Sequence, residues 1–512
     1  MRARSRSPET VMTSSDARTY TRTPQAAAAE PAEPAYAAPL DHALVRQIIV
    51  GIMLAMFLSA LEQTIVAPAL PTLGRVLADV DNLSFVVTAY LLAATAVTPL
   101  FGKFADIHGR RLALLIAVAI FIVGSIACAL APSMGALIAG RALQGIGGGG
   151  ILPIAQTIIA DLLSPRERPL YQSYSAVMFM AASILGPVLG GFLTEYLHWS
   201  LIFWINVPMG AVALVMTDRV LRKLPRYERP HRLDFLGAGL MVAAALVLML
   251  ALAWGGRRYA WDSRAILGLI AASGVLWVLF ALRLARAPEP FIPTTVLRDR
   301  VVAAIVVTGF FAIGTIIGLT IMTPLYLGLV LGLKASESSL ALIAFVTGTT
   351  MGAMAAGRAM ARLERYKRVP IAGLVVAIVL LAWLALDPAG HSLAGICVLL
   401  LVAGAGLGPM YPTTTIVIQN VVAPHHTGTA TGTLNFFRQL GGSIIVAAFG
   451  AIVLGGASES LTLDTLAGTS HAGGAFAAAF RWVFIAAAVF LCLACLAMTA
   501  VEERPLRGRG EG

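Results

Sequence analysis

Apolar runs of roughly twenty residues, separated by short polar connectors, recur along this chain from about residue 47 to about residue 501. A helix of that length crosses the hydrocarbon layer of a bilayer. The pattern predicts fourteen transmembrane helices, at 47–70, 83–101, 112–131, 136–160, 171–194, 201–218, 234–254, 264–282, 301–328, 338–357, 370–386, 393–418, 429–454 and 478–500. Gly and Pro occur freely inside the runs, which membrane helices tolerate, and the alternating ten-residue pattern of a membrane β-barrel is absent. The fold class that follows is all-α and polytopic.

The runs form groups. Spans 1–6 and 9–14 read as two related six-helix halves. After the second span stands GKFADIHGRR (102–111), and after the tenth, GRAMARLERYKR (357–368). Both connectors are short, Gly-led and basic, the weak internal repeat expected of transporters built from paired bundles. Spans 7 and 8 form an extra hairpin between a basic connector (219–234) and a Pro-containing one (283–300), where PEPFIP is expected to be extended and rigid. The expected organisation is a disordered tail at 1–45, a six-helix bundle at 46–220, a basic loop with the inserted hairpin at 221–298, a second six-helix bundle at 299–501 and a short tail at 502–512.

Composition agrees with a membrane protein. Of 512 residues, 58% are hydrophobic and only 12% charged, and the mean hydropathy is +0.83. The net charge is +11, and its placement says more than its sum. Most of the 37 Lys and Arg residues fall on the side that holds both ends of the chain; Arg75, Arg257, Arg258, Arg264, Lys334 and Arg481 fall opposite. The positive-inside rule then puts both termini in the cytoplasm. The charge is spread over connectors and forms no single patch, so nucleic acid is not the expected partner. Residues 1–40 lack the apolar core of a cleavable signal peptide, and Met1 and Met12 are both candidate starts. Cys128, Cys397, Cys492 and Cys495 all lie in apolar spans, and the CxxC of Cys492 and Cys495 has no second ligand pair, so no disulfide framework or metal centre is expected.

Within this apolar chain, Glu62 lies in the first span and Arg141 in the fourth. Ionised side chains deep in a bilayer are expensive, and they are functional candidates by default. Burial favours the neutral form of a carboxylate, so Glu62 is a candidate for binding and releasing a proton; the structural alternative is a Glu that pairs with Arg141 or snorkels to the surface. Arg141, Gln144 and Gly148 share one helical face, and the glycines of RALQGIGGGG (141–150) allow close helix approach. In span 5, SILGPVLGG (183–191) combines a GxxxG at Gly186 and Gly190 with the bend of Pro187, followed by Gly191.

Gly102, Asp106, Gly109, Arg110 and Arg111 resemble the loop signature of the major facilitator superfamily, where this loop latches the inward-closed state. Arg141, Gln144, Gly145 and Gly148 resemble that family's fourth-helix motif, in which the Arg is linked to proton transfer. Gly186, Pro187, Gly190 and Gly191 are similar to the fifth-helix motif of its antiporters. LEQTIVAPALPTL (61–73), HWSLIFWINVPMG (198–210) and QNVVAPHHTGTATGTLNFFRQLGG (419–442) resemble the 14-helix drug:proton antiporter branch, so the likeness covers roughly residues 45–500. It implies two six-helix bundles plus a central two-helix insertion. Two departures stand out: Glu62 replaces the branch's usual Asp, and Glu364 stands where the second-half loop usually has Gly, which implies a weaker latch there.

The resemblance implies a proton-coupled antiporter that exports hydrophobic drugs or toxic compounds by alternating access; with Glu62 as the single deep acid, neutral and cationic compounds are both open as substrates. Glu62 and Arg141 would couple the proton. Gln63, Thr64, Tyr90, Asn206, Gln419, Asn420, Phe436, Phe437 and Arg438 are candidates for lining the substrate cavity. The alternative is a dedicated exporter of one metabolite, peptide or lipid by the same exchange. No nucleotide-binding, nucleophile or zinc motif is present, so enzymatic activity, a cofactor and a metal are not expected. Expected partners are small hydrophobic substrates, protons and the lipid of the cell (inner) membrane. A monomer would suffice, and a periplasmic adaptor, although known among relatives, has no visible docking surface here.

Overall fold

The computed structural model describes residues 42–79, 82–164, 166–222, 234–256, 258–288, 290–292, 298–333, 335–363, 366–458 and 469–503. Of the expected tails at 1–45 and 502–512, residues 1–41 and 504–512 lie outside the described residues, as do most of the basic connector 219–234 and Arg257, Lys334 and Glu364.

Among the described residues, fourteen helices account for the predicted spans. They are α1 (His42–Ile65), α2 (Leu83–His108), α3 (Arg110–Ala129), α4 (Met134–Leu162), α5 (Arg168–Tyr196), α6 (Leu201–Trp204 and Asn206–Leu221), α7 (Phe235–Trp254), α8 (Arg264–Arg286), α9 (Arg300–Leu331), α10 (Ala335–Arg362), α11 (Arg368–Leu386), α12 (Leu393–Leu407 and Met410–Val421), α13 (Thr427–Ser458) and α14 (Thr469–Ala500). Among the described residues, thirteen stretches are long and apolar enough to cross a membrane; α10 is a further helix of 28 residues, rich in Ala, Ser, Thr and Gly. The predicted first span ends early because Pro68 and Pro71 interrupt it with a 3-10 turn at Ala67–Ala69 before a last short helix, Leu70–Val76. Pro409 likewise interrupts α12.

Helices α1–α6 pack together, as do α9–α14. The halves meet crosswise. Helix α2 runs against α13, and α5 runs against α10, so the second helix of each half faces the fifth of the other. The inserted α7–α8 hairpin closes on itself and lies against both α2 and α13. Its apolar side chains Ala245 and Met249 bury with Phe436 and Leu440 of α13, and Leu92 of α2 packs on the same cluster.

Helix α4 shows how the sequence allows this density. A Cβ on Gly147 would collide with the backbone of α3 at Ala117 and Phe121, and one on Gly149 with the backbone of Ala94 on α2. The glycine run thus lets one helix sit backbone-to-backbone between two others, where dispersion rather than hydrophobic transfer drives association. A Gly149→Leu substitution should lower stability by about 1–3 kcal/mol through overpacking. Thermal unfolding followed by tryptophan fluorescence should show a clear drop in Tm, and an unchanged Tm would mean that α2 and α4 can separate freely.

Candidate functional site

At ~1.5 Å per residue Glu62 lies about 22 Å along α1 from Gln47, well inside the membrane. Its side chain is completely buried, at 0% exposure, and Arg141 is at 1%. Arg141 Nη1 forms a salt bridge with Glu62 Oε1, and Asn206 Nδ2 of α6 donates to Oε2. Arg141 also donates through Nε to the Val86 carbonyl of α2 at 2.9 Å and through Nη1 to Gln144 Oε1 at 2.6 Å. Gln144 Nε2 then donates to Ser125 Oγ of α3 at 2.8 Å. The guanidinium lies over the Tyr90 ring, 4.4 Å from its centroid, with the Phe203 ring at 5.9 Å. One ion pair therefore touches four helices, α1, α2, α4 and α6, and reaches a fifth, α3, through Gln144.

Both carboxylate oxygens of Glu62 are engaged, so in this conformation no free acid is offered to a substrate. The arrangement can register protonation instead. Adding a proton to Glu62 removes the counter-charge of a buried cation, and the low dielectric makes that loss costly unless the helices rearrange. Asn206 Oδ1 is already without a partner among the described residues.

Helix α5 presses on the same part of α1. A Cβ on Gly186 would strike the Thr64 hydroxyl, and one on Gly190 the Ile65 carbonyl. Thr64 Oγ1 donates to the Ala182 carbonyl of α5 at 2.8 Å. Gly186 and Gly190 thus seat α5 on residues two and three positions after Glu62. Pro187 is exposed, and Gly191 has open space where a Cβ would stand.

On the face where α1 begins and α14 ends, the α2–α3 turn ties the halves together. Gly109 makes that turn at φ +88°, a conformation that favours glycine. Asp106 accepts from Arg110 Nη1, from the Gly428 amide at 3.0 Å, and from the Thr429 amide and hydroxyl, each at 2.6 Å. Gly428 and Thr429 open α13, so the carboxylate of one half caps a helix N-terminus of the other. Arg110 Nε donates to Asp161 Oδ2 at the end of α4 at 3.0 Å, and Arg111 pairs with Asp218 of α6. A Cβ on Gly102 would strike the Gly428 carbonyl, so this glycine sets the approach of α2 to α13. In the corresponding second-half loop, Gly357 packs against Pro169 and Ser173 of α5, also on this face.

Not every expected cavity residue faces a cavity. Tyr90 and Asn206 are buried in the Glu62 cluster, because the ion pair needs their ring face and amide. Phe436 is buried against Trp277 of the hairpin, with ring centroids 6.3 Å apart, and Phe437 packs edge-on to it. Gln63 is exposed and donates to the Ser59 carbonyl, and Asn420 is partly buried. Gln419 bridges the halves, donating to the Gln156 carbonyl of α4 at 3.3 Å and to Thr431 Oγ1 at 3.2 Å. Arg438 is buried inside the second half.

Sequence reasoning missed Ser125, Asp161, Asp218, Gln156, Asn435, Gly428 and Thr429. Asp161 and Asp218 sit near helix ends, where a charge raises no alarm. Ser125 looks like any small residue of a membrane helix. Only Gly428 and Thr429 carried a signal, inside the small-residue run TGTATGT (427–433).

Residues 52–446 match the family model described as Major Facilitator Superfamily. The chain belongs to the major facilitator superfamily. It is a transporter rather than an enzyme, and a multi-pass membrane protein. It is 35% identical to an uncharacterized MFS-type transporter of Mycobacterium tuberculosis H37Rv over 81% of this chain and 60% of that one, and so spans only about three-fifths of that relative's length. It is 32% identical to the multidrug transporter protein MdtP of Bacillus subtilis, over 82% of this chain and 77% of the relative. With multidrug resistance protein 3 of the same organism it shares 31% identity over 84% of each chain. The fold is shared with solved structures at low identity. The human organic anion transporter MFSD10 superposes with a TM-score of 0.62 at 16% identity, covering 87% of this chain and 99% of that one. A bacterial homologue of the iron transporter ferroportin gives 0.62 at 13%, covering 90% and 100%.

Two outcomes test this geometry. Glu62→Ala leaves Arg141 buried without a counter-charge and should destabilise the transporter by about 3–5 kcal/mol. The apolar double variant Glu62→Leu/Arg141→Met should recover most of that loss in thermal unfolding; if the double variant is as unstable as Glu62→Ala, the pair is not what holds these helices. Asp106→Asn removes the charge from the α13 cap, worth about 1 kcal/mol. Spin labels across that face should then show a larger separated population, and an unchanged distance distribution would mean that the cap does not hold the halves together.

Proposed function

We propose that this transporter exports hydrophobic drugs or toxic compounds by exchange against protons, through alternating access between the two bundles. The observation that carries this reading is the buried Glu62–Arg141 pair spanning α1, α4 and α6. Protonation there changes the charge of a site that several helices share, which is what coupling a proton to bundle movement requires. The resemblance to multidrug transporters at just over 30% identity supports the substrate class, and the α5 glycines against α1 support the antiport mode.

In this scheme the Asp106 cap holds one face closed while the other admits protons and releases substrate. Glu62 takes a proton from outside, and its weakened hold on Arg141 and Asn206 favours the opposite orientation of the bundles. Release of the proton inside accompanies binding of the next substrate. The protein works in the cell (inner) membrane with both termini in the cytoplasm, needs no cofactor, and is sufficient as a monomer.

The energetics are adequate. A membrane potential of ~100 mV supplies about 2.3 kcal/mol per proton. One pH unit adds about 1.4 kcal/mol, and each such increment is worth tenfold in concentration. One proton per cycle would thus sustain a gradient of several hundredfold for a neutral substrate, by the same arithmetic.

Everted vesicles that have built an acidic interior provide the test. Adding a transported hydrophobic compound should release protons with the wild type and not with Glu62→Gln, although both proteins are inserted equally. Equal proton release by both would remove Glu62 from the coupling path.

A further inference from the structure

Among the described residues, each half of the transporter buries one arginine near mid-membrane (Arg168, also buried, stands at the start of α5), and the two are treated differently. Arg141 has its carboxylate partner. Arg438, 2% exposed, forms no ion pair among the described residues. Its Nη1 donates to Asn435 Oδ1 at 3.0 Å, and its Nη2 to the Tyr411 carbonyl at 3.0 Å and to the Thr414 and Thr415 hydroxyls, the latter at 2.9 Å. These acceptors are all neutral. Nε is buried and has no partner among the described residues. A buried cation held only by dipoles keeps an unmet demand for an anion.

The surroundings suit an anionic ligand that also has an aromatic or apolar body. Arg438 lies eleven residues into α13, about 16 Å from its start and so near mid-membrane. The Tyr411 ring covers the guanidinium at 4.5 Å, is itself partly exposed, and faces Phe179 of α5 in the other half at 6.3 Å. Tyr411 follows the interruption of α12 at Pro409, and broken helices near the midplane are where transporters of this type of architecture place binding sites. On the α9 side stands Gly309; a Cβ there would lie 3.0 Å from Leu434 Cδ1 and 3.6 Å from Nε, so the glycine lets α9 pack close to the unpaired donor, and access for a ligand must come from the Tyr411 side. Asn435 Nδ2 also donates to Gln156 Oε1 of α4 at 2.8 Å, which links the site to the other half. Since Glu62 is fully engaged by Arg141 and Asn206, the uncompensated charge among these buried groups is positive.

We propose that Arg438 is an anion-binding residue of the substrate site, and that the preferred substrates are hydrophobic molecules carrying a carboxylate or sulfonate, not cations. The proposal rests on the export reading for its biological sense, yet binding can be measured without transport. The acid group would meet Nε and Nη2 once the Tyr411 ring swings aside, and the ring with Phe179 would take the apolar body. Exchange of such an anion for a proton would move charge in the favourable direction twice.

The test uses the full-length transporter in phosphatidylcholine nanodiscs, with 1-pyrenebutyrate and its neutral methyl ester as fluorescent probes. The wild type should bind the carboxylate about tenfold more tightly than the ester, a difference of about 1.4 kcal/mol. Arg438→Gln should abolish the difference while leaving ester binding intact, which also shows that the variant is folded; Arg438→Lys should keep part of it. Should Arg438→Gln misfold, Thr415→Val gives the second measure and should narrow the difference. Displacement of the carboxylate, but not of the ester, from the wild type by added phosphatidylglycerol would assign the anion site to a lipid headgroup and overturn the free-substrate proposal. Equal binding of the two probes by the wild type, binding of neither, or a preference that survives Arg438→Gln would overturn the proposal. None of these outcomes depends on Glu62, so loss of proton exchange in vesicles with an intact carboxylate preference would sink the coupling reading alone.

Discussion

A single ion pair sealed from water organises the first half of this transporter. Neither Glu62 nor Arg141 could stay charged in hydrocarbon alone, and each makes the other tolerable. Their remaining hydrogen-bonding capacity then dictates what surrounds them. Asn206 must reach the second carboxylate oxygen, the Val86 carbonyl must turn toward Nε, Gln144 must be held by Ser125, and the Tyr90 ring must lie flat under the guanidinium. The glycines of α4 follow from the same demand, because a Cβ on Gly148 would strike the Tyr90 hydroxyl and push the ring away from Arg141. What looks in sequence like a packing motif is, in part, the clearance for a cation–π contact.

The two ends of the molecule use charge in opposite ways. Near mid-membrane, charges are hidden and few, so changing one has large consequences. On the face where the chain's helical core begins and ends, Asp106, Arg110, Asp161, Arg111 and Asp218 form partly exposed pairs, and each contributes little by itself. The Asp106 cap on α13 stands apart because it joins the two halves. A contact of modest strength across a moving interface is suited to breaking and re-forming, whereas the Glu62 pair is suited to being changed by a proton. The inserted hairpin adds an apolar contact to both α2 and α13 and thereby covers one of the two seams between the halves.

Much of this was legible from the chain. The fourteen helices follow from run length and hydropathy; α2 runs on to His108 and α14 begins at Thr469, both beyond the expected limits, while proline ends α1 early at Pro68 and Pro71 and interrupts α12 at Pro409. The pairing of Glu62 with Arg141 was legible as one of two alternatives, because two opposite charges in an apolar core have few other ways to be satisfied. Gly109 could be assigned to a turn from its neighbours alone. The cavity candidates were less legible. Tyr90 and Asn206 look like cavity-lining residues in sequence, since a polar group in an apolar helix points somewhere polar, but the linear order does not say whether that place is a cleft or another side chain.

Local order along the chain therefore determined which segments cross the membrane, which residues would be costly there, and which turns need glycine, since these depend on a residue and its near neighbours. Only the tertiary structure decided partnership. That Arg141 is compensated and Arg438 is not, that Asp106 serves a helix 322 residues away, and that Gly186 rests on Thr64 are all consequences of how fourteen helices pack. Hydropathy is a property of each segment, whereas the compensation of a buried charge is a property of whatever the fold places within hydrogen-bonding distance of it.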